Sequence, residues 1–377
     1  VSTANDVDIA IIGAGLAGLR LAAALREQRP ELRVLLQGPN DTRQQRLSFW
    51  RRQDQPDPFA SSIDARWNCW LIANGEQQIR HTSSRYEYVS MDGLHLRATL
   101  AARLEQSGCI RQRGLLHDLQ ASRHNIALQT DEGTVTAAWV LDTRPPSPAP
   151  GTLCQQFFGI TLAAANGHGL SNPVLMNFDV APLQSPGVYF LYVLPITPQR
   201  LLLEYTAFVA APLSMEEFRR GLTVAIRQHY PELVGLPAES EESGLIPMGP
   251  VIPRAQGPRV IPCGVAGGAA RAATGYAFSG IGRQIDALLA QFSRVTPEPA
   301  LQPPSVYSWR AQTMDSIFLR VIRQEPERMA DIITTMAKRL SADQFAEFLS
   351  DHGGWLPVLR TIWKVPKRPF LRAVLRL

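Results

Sequence analysis

The sequence predicts a mixed α/β fold: a Rossmann-like parallel-sheet domain, an inserted antiparallel β-sheet domain and a helical C-terminal region. Three observations carry this. A glycine-patterned turn joins a strand to a helix near the start. A strand-rich block broken by one helix fills the middle. A second glycine-rich turn then returns the chain late to its first domain. The expected divisions are residues 1–150, 151–250 for the insert, 251–300 for the return, and 301–377. A chain of 377 residues is long for one simple core, and 45% hydrophobic with 19% charged residues describes a soluble globular protein.

Residues 8–13 are almost wholly apolar, which predicts a strand buried on both faces. Gly13-Ala-Gly15-Leu-Ala-Gly18 follows at once, and Leu19, Ala22 and Leu25 give helical spacing over 16–28. Pro30 ends that helix and 32–36 is the next strand. A G-x-G-x-x-G pattern between strand and helix, with a second strand on schedule, is a strong dinucleotide signature. Its glycines allow the tight turn, the approach of backbone to a pyrophosphate and close helix packing, and the helix N-terminus faces the phosphates. Gln37 stands where an acid commonly holds a ribose and can still hydrogen-bond a hydroxyl; Asp41 is read as too far along.

Further on, 91–106 reads as a helix, and 125–130 with 134–142 as a hairpin leading into a buried strand that ends at Asp142. The Pro-rich stretch 143–151 marks a boundary. Residues 154–246 are mostly strand, interrupted by a helix at 214–229. Within this block, 189–204 reads as two strands joined by a Pro-containing turn, and the second carries one carboxylate, Glu204, directly after three leucines. A carboxyl group in apolar surroundings keeps its proton near neutral pH and can give it away, so Glu204 is a candidate proton donor. The alternative is an ordinary carboxylate on the solvent face of an edge strand.

A short strand at 259–264 leads into Gly267-Gly268 and on to Thr274-Gly275-Tyr276, with a helix at 279–292. A late return of this kind supplies a second wall for an extended cofactor. FAD fits better than NAD, whose domains are usually contiguous. The expected cofactor residues are Gly13, Gly15, Gly18, Gln37, Gly267, Gly268, Thr274, Gly275 and Tyr276. From 306 the chain reads as helical. Residues 351–377 hold six Lys/Arg and one acid together with Trp355, Trp363 and Phe370. That mixture suits either a membrane surface or a terminal helix pair with a buried face. No apolar run approaches the ~20 residues of a spanning helix, and no signal peptide is visible. Cys69, Cys109, Cys154 and Cys263 are widely spaced and the histidines show no metal spacing, so reduced thiols and no metal are expected. His168 reads as a surface loop residue. No nucleic-acid partner is expected.

With these pieces in order, the chain resembles the flavoprotein lycopene cyclases of carotenoid biosynthesis, of the bacterial β-cyclase type. Leu47-Ser48-Phe49-Trp50 resembles the family's Trp-Ser-Phe-His segment, and Ser171-Asn-Pro-Val-Leu-Met176 its Ser-Ser-Pro-Ile-Ile-Met segment. The block from Phe190 through Tyr192, Pro195 and Arg200 to Glu204-Tyr205-Thr206 resembles Phe-x-Tyr-x-Leu-Pro-Leu-Ser-Pro-x-Arg-Leu-Leu-Ile-Glu-Asp-Thr. Gly244-Leu-Ile-Pro247-Met248 resembles Gly-x-x-Pro-Met, and Ala273-Thr274-Gly275-Tyr276 the end of the family's His-Pro-(Thr/Ala)-Thr-Gly-Tyr motif. Tyr205 stands in place of a second acid, Arg271-Ala272 in place of His-Pro, and Leu47 and Trp50 in place of Trp and His.

The resemblance implies non-covalent FAD, active when reduced, with NAD(P)H as an external reductant. It implies a redox-neutral cyclisation of a hydrophobic polyene or terpenoid, lycopene-like, in which Glu204 protonates a terminal double bond. Tyr192, Tyr205 and Arg271 are assigned to the substrate pocket, Arg271 holding either a flavin phosphate or a polar substrate group. The implied place is cytoplasmic, peripheral on the inner face of the membrane. A cyclase of another polyene or prenylated substrate, and an FAD-dependent monooxygenase or dehydrogenase on the same scaffold, stay open.

Overall fold

The computed structural model describes residues 6–255, 257–292, 301–350, 370 and 372. Its first sheet has a parallel core in which Ile110–Gln112, Val34–Asn40, Val7–Ala14 and Gly133–Asp142 lie side by side. Val260–Pro262 joins in parallel to Gly133–Asp142, as a late return requires. The antiparallel strands Ile126–Thr130 and Leu116–Ala121 extend the same sheet. Helices Leu16–Gln28 and Phe278–Phe292 bury Leu19, Leu21 and Leu25 and Ile281, Ile285 and Leu288 in its core. The helix expected at 91–106 begins at Gly93, because the Asp92 side chain accepts from the N–H groups of Leu94 and His95 and so caps it there.

The second sheet has seven strands in the order Ala238–Met248, Leu153–Ala163, Arg200–Val209, Gly187–Thr197, Val174–Asn177, Cys69–Asn74 and Gln77–Thr82. Its last two strands come from well before the expected boundary at 150/151. Leu71 pairs in parallel with Val174, a contact spanning about a hundred residues that no local signal announces. The insert is therefore built from two passes of the chain, and a division at 151–250 leaves out Cys69–Thr82.

A third sheet, of Arg46–Arg52, Tyr86–Asp92 and Ile63–Trp67, carries alternate side chains into two different cores. Phe49, Val89 and Met91 join the first-sheet core, whereas Trp50 and Tyr88 join the second-sheet core. This is the period of two of a strand put to use in linking two layers.

The second sheet also has two distinct faces. Leu201, Leu203, Tyr205 and Ala207 pack beneath helix Met215–His229 with Phe218 and Leu222. Leu202 and Phe208 point the other way, toward Trp50, Tyr88, Tyr276 and the helices Trp309–Gln324, Met329–Arg339 and Ala342–Ser350. His168 is buried and not at the surface: its Nε2 meets the Thr197 carbonyl at 2.7 Å while Nδ1 accepts from Leu170 N–H, which pins the loop against the 197–200 turn. No helix among the described residues is long and apolar enough to cross a membrane. The basic, Trp-bearing tail lies outside the described residues, except for Phe370, which packs on the second-sheet core, and Arg372, 3.4 Å from Glu325.

Candidate active site

The first glycine turn has the geometry its pattern requires. Gly13 has φ +103°, and a Cβ on Gly18 would lie 1.9 Å from the Gly13 carbonyl, so only glycine lets the helix sit this close to the strand. Gly15 precedes the helix with no side-chain cap, and its nearest neighbour is the Asp41 carboxylate, 4.0 Å from where a Cβ would be. The helix N-terminus is thus left open for an anion.

Gln37 is fully buried and donates to the Gly114 carbonyl at 2.6 Å, so its amide N–H serves the sheet edge and not a ribose. The strand continues to Asn40, with an irregularity between Gln37 and Asn40, and this brings Asp41 back beside Gly15. Asp41 is the residue missed by the sequence reading, which took the strand to end at 36. Arg43 and Arg97 hold its carboxyl below the usual carboxylate range, the Arg43 hydrogen bond first, so it is a charged acceptor at the glycine turn.

The second glycine turn is held by Gln284, which accepts from Gly264 N–H at 2.6 Å and donates to the Gly267 carbonyl at 2.8 Å. A Cβ on Gly267 would lie 2.3 Å from the Pro262 carbonyl, whereas Gly268, at φ +77°, has nothing within 4 Å of that position. Two turns with open backbone, at Gly15 and Gly268, fit an extended dinucleotide. Thr274, Gly275 and Tyr276 form a tight loop closed on Arg271: Gly275 N–H donates to the Arg271 carbonyl at 2.8 Å and Arg271 N–H to the Tyr276 carbonyl at 3.0 Å. The Arg271 side chain is buried and paired with Asp315 at 3.2 Å, and it also donates to the Phe348 carbonyl. These partners occupy the guanidinium internally, so it braces the loop and is not presented to a phosphate or a substrate.

The loop sits on the second sheet. A Cβ on Gly275 would lie 3.0 Å from Gln155 Oε1 and 3.2 Å from Ile246, on the face that also carries Glu204. Glu204 is buried, 9% exposed, and in register with Tyr192 on one side and Gly159 on the other. Beyond Gly159 comes Glu242 in the same row. Gly159 has no side chain to separate them: a Cβ there would lie 2.6 Å from Glu204 Cγ. The Glu204 carboxyl is pushed well above the usual carboxylate range, first by burial, then by the charge of Glu242 and a hydrogen bond to it.

Around this acid runs a chain of hydroxyls. The Tyr88 and Tyr192 hydroxyls meet at 2.8 Å, with Tyr276 beside Tyr88 and Ser48 beside Tyr192. Burial raises all three tyrosines well above their ordinary value, so they are neutral donors. Trp50 packs against Tyr276 at 5.6 Å and Tyr88 at 4.9 Å. The site therefore combines a carboxyl that burial biases toward its protonated form, neutral hydroxyls and aromatic walls, a set with the chemistry to protonate an alkene and shelter a cation. Tyr192, assigned to the substrate pocket, and Tyr276, assigned to the cofactor, both stand beside this acid. Tyr205 does not: adjacent strand residues face opposite ways, and its hydroxyl donates to the Ala181 carbonyl beneath the Met215–His229 helix.

The family model described as "Lycopene cyclase protein" matches residues 8–373. A lycopene beta-cyclase of Paracoccus sp. is 32% identical over 215 residues, 53% of this chain and 51% of that protein. One from Pantoea ananas is 29% identical over 64% of this chain and 62% of its own length. The chain thus spans between about half and three-fifths of the length of these relatives. A geranylgeranyl bacteriochlorophyll reductase-like protein from Thermoplasma acidophilum has a similar fold, with TM-score 0.61 at 13% identity over 97% of this chain and 98% of that one. A variant of halogenase PltM in complex with FAD has TM-score 0.54 at 13% identity, over 91% and 78%. The chain belongs to the lycopene cyclase family.

Proposed function

We propose that this chain is an FAD-dependent, redox-neutral cyclase that closes a β-ionone-type ring on a lycopene-like polyene, an isomerase of carotenoid biosynthesis. The observation that carries this is the burial of Glu204 near Tyr276, which ends the late glycine turn, with its carboxyl pushed well above the usual carboxylate range. A flavin hydroxylase has no use for such an acid. In the proposed reaction the Glu204 O–H bond breaks as a C–H bond forms at the terminal double bond. The neighbouring double bond then attacks the tertiary cation, and loss of a proton completes the ring. Trp50, Tyr88, Tyr192 and Tyr276 wall the reaction from water. Gly15, Asp41 and Gly268 would hold the dinucleotide, and reduced FAD, kept so by an external reductant such as NAD(P)H, would supply an electron-rich group able to stabilise positive charge. A polyene dissolves in bilayers, so contact with the inner face of the membrane through the basic 351–377 segment belongs to the same proposal.

The test is expression in cells that accumulate lycopene, with pigment analysis, beside denaturation of the purified protein. Ring-bearing pigment and release of FAD are expected. Unchanged lycopene from a protein that carries FAD would overturn the cyclase reading, and a protein that binds no flavin after reconstitution would overturn the cofactor.

A further inference from the structure

We infer that Glu242 is the positioning residue of the acid site: it keeps Glu204 loaded with its proton and holds one fixed negative charge beside the reacting cation. This rests on the cyclase reading and adds a partner for its acid. The geometry is a row across three strands, Glu204, Gly159 and Glu242, in which the middle position is empty of side chain. Two buried carboxyl-bearing side chains flank that gap, and Glu204 Cγ reaches into the space a Cβ on Gly159 would fill. The row is asymmetric. Oε2 of Glu242 accepts from Arg46 N–H at 2.8 Å, a donor suited to a carboxylate, whereas Glu204 lies toward the tyrosines. The Glu242 neighbours on either side in sequence behave otherwise: Glu241 is exposed and paired with Arg219 at 2.7 Å on the opposite face.

Charge follows from this arrangement. Before reaction the pair carries one proton and one negative charge. When Glu204 gives its proton to the alkene, the pair becomes doubly negative beside a singly positive substrate, so the total is unchanged. Two adjacent buried carboxylates are costly. That cost favours return of a proton to the pair when the ring cation sheds one, and the site ends as it began. The groups facing Glu204 are Glu242 and the hydroxyls of Tyr88, Tyr192 and Tyr276. The Arg46 guanidinium is turned to Asp64 and Ser90.

The experiment is infrared titration of the flavin-loaded protein together with its pH–rate profile on lycopene. Glu204→Gln identifies the band of the protonated Glu204 carboxyl. Glu242→Gln keeps the size and the acceptor for Arg46 N–H but removes the charge. It is expected to move the titration of that band, and the alkaline limb of the rate profile, down by about one pH unit or more. Glu241→Gln is the control on the other face and should move neither. A band whose titration is indifferent to Glu242→Gln overturns the proposal, even if rings are formed. A band that shifts as expected in a protein that closes no ring upholds the pair and overturns the cyclase reading alone.

Discussion

The two faces of the second sheet share strands, register and burial, yet they do different work. Beneath the Met215–His229 helix, Leu203, Tyr205 and Phe218 interlock and Tyr205 finds a backbone acceptor, so the face is ordinary core. One residue away, Glu204 enters an equally dry environment in company with Glu242 and three tyrosines. Alternate positions on one strand thus separate stability from chemistry. The helix side holds the sheet rigid, and that rigidity lets the other side keep ionisable groups which, left unpartnered, would destabilise it.

The comparison breaks first at Glu204. Glu204→Gln should lower turnover with reduced FAD by about two to four orders of magnitude, as loss of a general acid does. Its stability should move the other way. A carboxyl whose folded pKa lies above the unfolded value of 4.5 binds more protons folded than unfolded, so its contribution falls as pH rises from 4.5 through the folded pKa. Denaturant unfolding across that range should show the Gln variant gaining on wild type toward alkaline pH. A Gln variant with wild-type turnover would return Glu204 to the status of packing.

The helix face predicts the reverse pattern. Phe218→Ala should cost about 3–5 kcal/mol in unfolding free energy, since Phe218 is wholly buried, while leaving the pH–rate profile in place. The smallest effect is expected of Tyr205→Phe, which removes only the hydroxyl bonded to Ala181. It should cost about 1 kcal/mol with turnover changed little. Loss of turnover rivalling that of Glu204→Gln would restore Tyr205 to the substrate pocket.

What could be read from the sequence follows from how local each signal is. The first strand, the helix at 16–28 and the glycine turn were legible because strand burial, helical spacing and turn chemistry all fall within about thirty residues. Glu204 stood out as a lone carboxylate after three leucines, a pattern that an ordinary edge-strand carboxylate also explains, and its burial came only with the structure. Glu242 was not, since Ala238-Glu-Ser-Glu-Glu-Ser reads as a polar edge. Its alternation, with Glu239 and Glu241 paired to exposed arginines, holds the clue. Gly159, set in the apolar run 157–162, was the other available sign, because a glycine inside a strand often marks a close approach. Tyr205 was misassigned against a rule the sequence itself supplies, that neighbours on a strand face apart. Among the strands between 46 and 92, Cys69–Asn74 and Gln77–Thr82 form a local hairpin, but its seam with the second sheet, Leu71 beside Val174, joins positions about a hundred residues apart and has no local signal.

The loop from Arg271 to Tyr276 acts as a keystone. Its backbone closes one end of the late glycine turn, Gly275 rests on the strand that bears Glu242, and Arg271 is clamped by Asp315 and Phe348 from the C-terminal helices. Three walls built from separate stretches of chain lean on six residues. Removing the C-terminal helices would leave both glycine turns intact, yet it would open the face of the second sheet that they cover and strip Arg271 of Asp315. The helical region is therefore no appendage. It is the buttress of the buried face that holds Glu204.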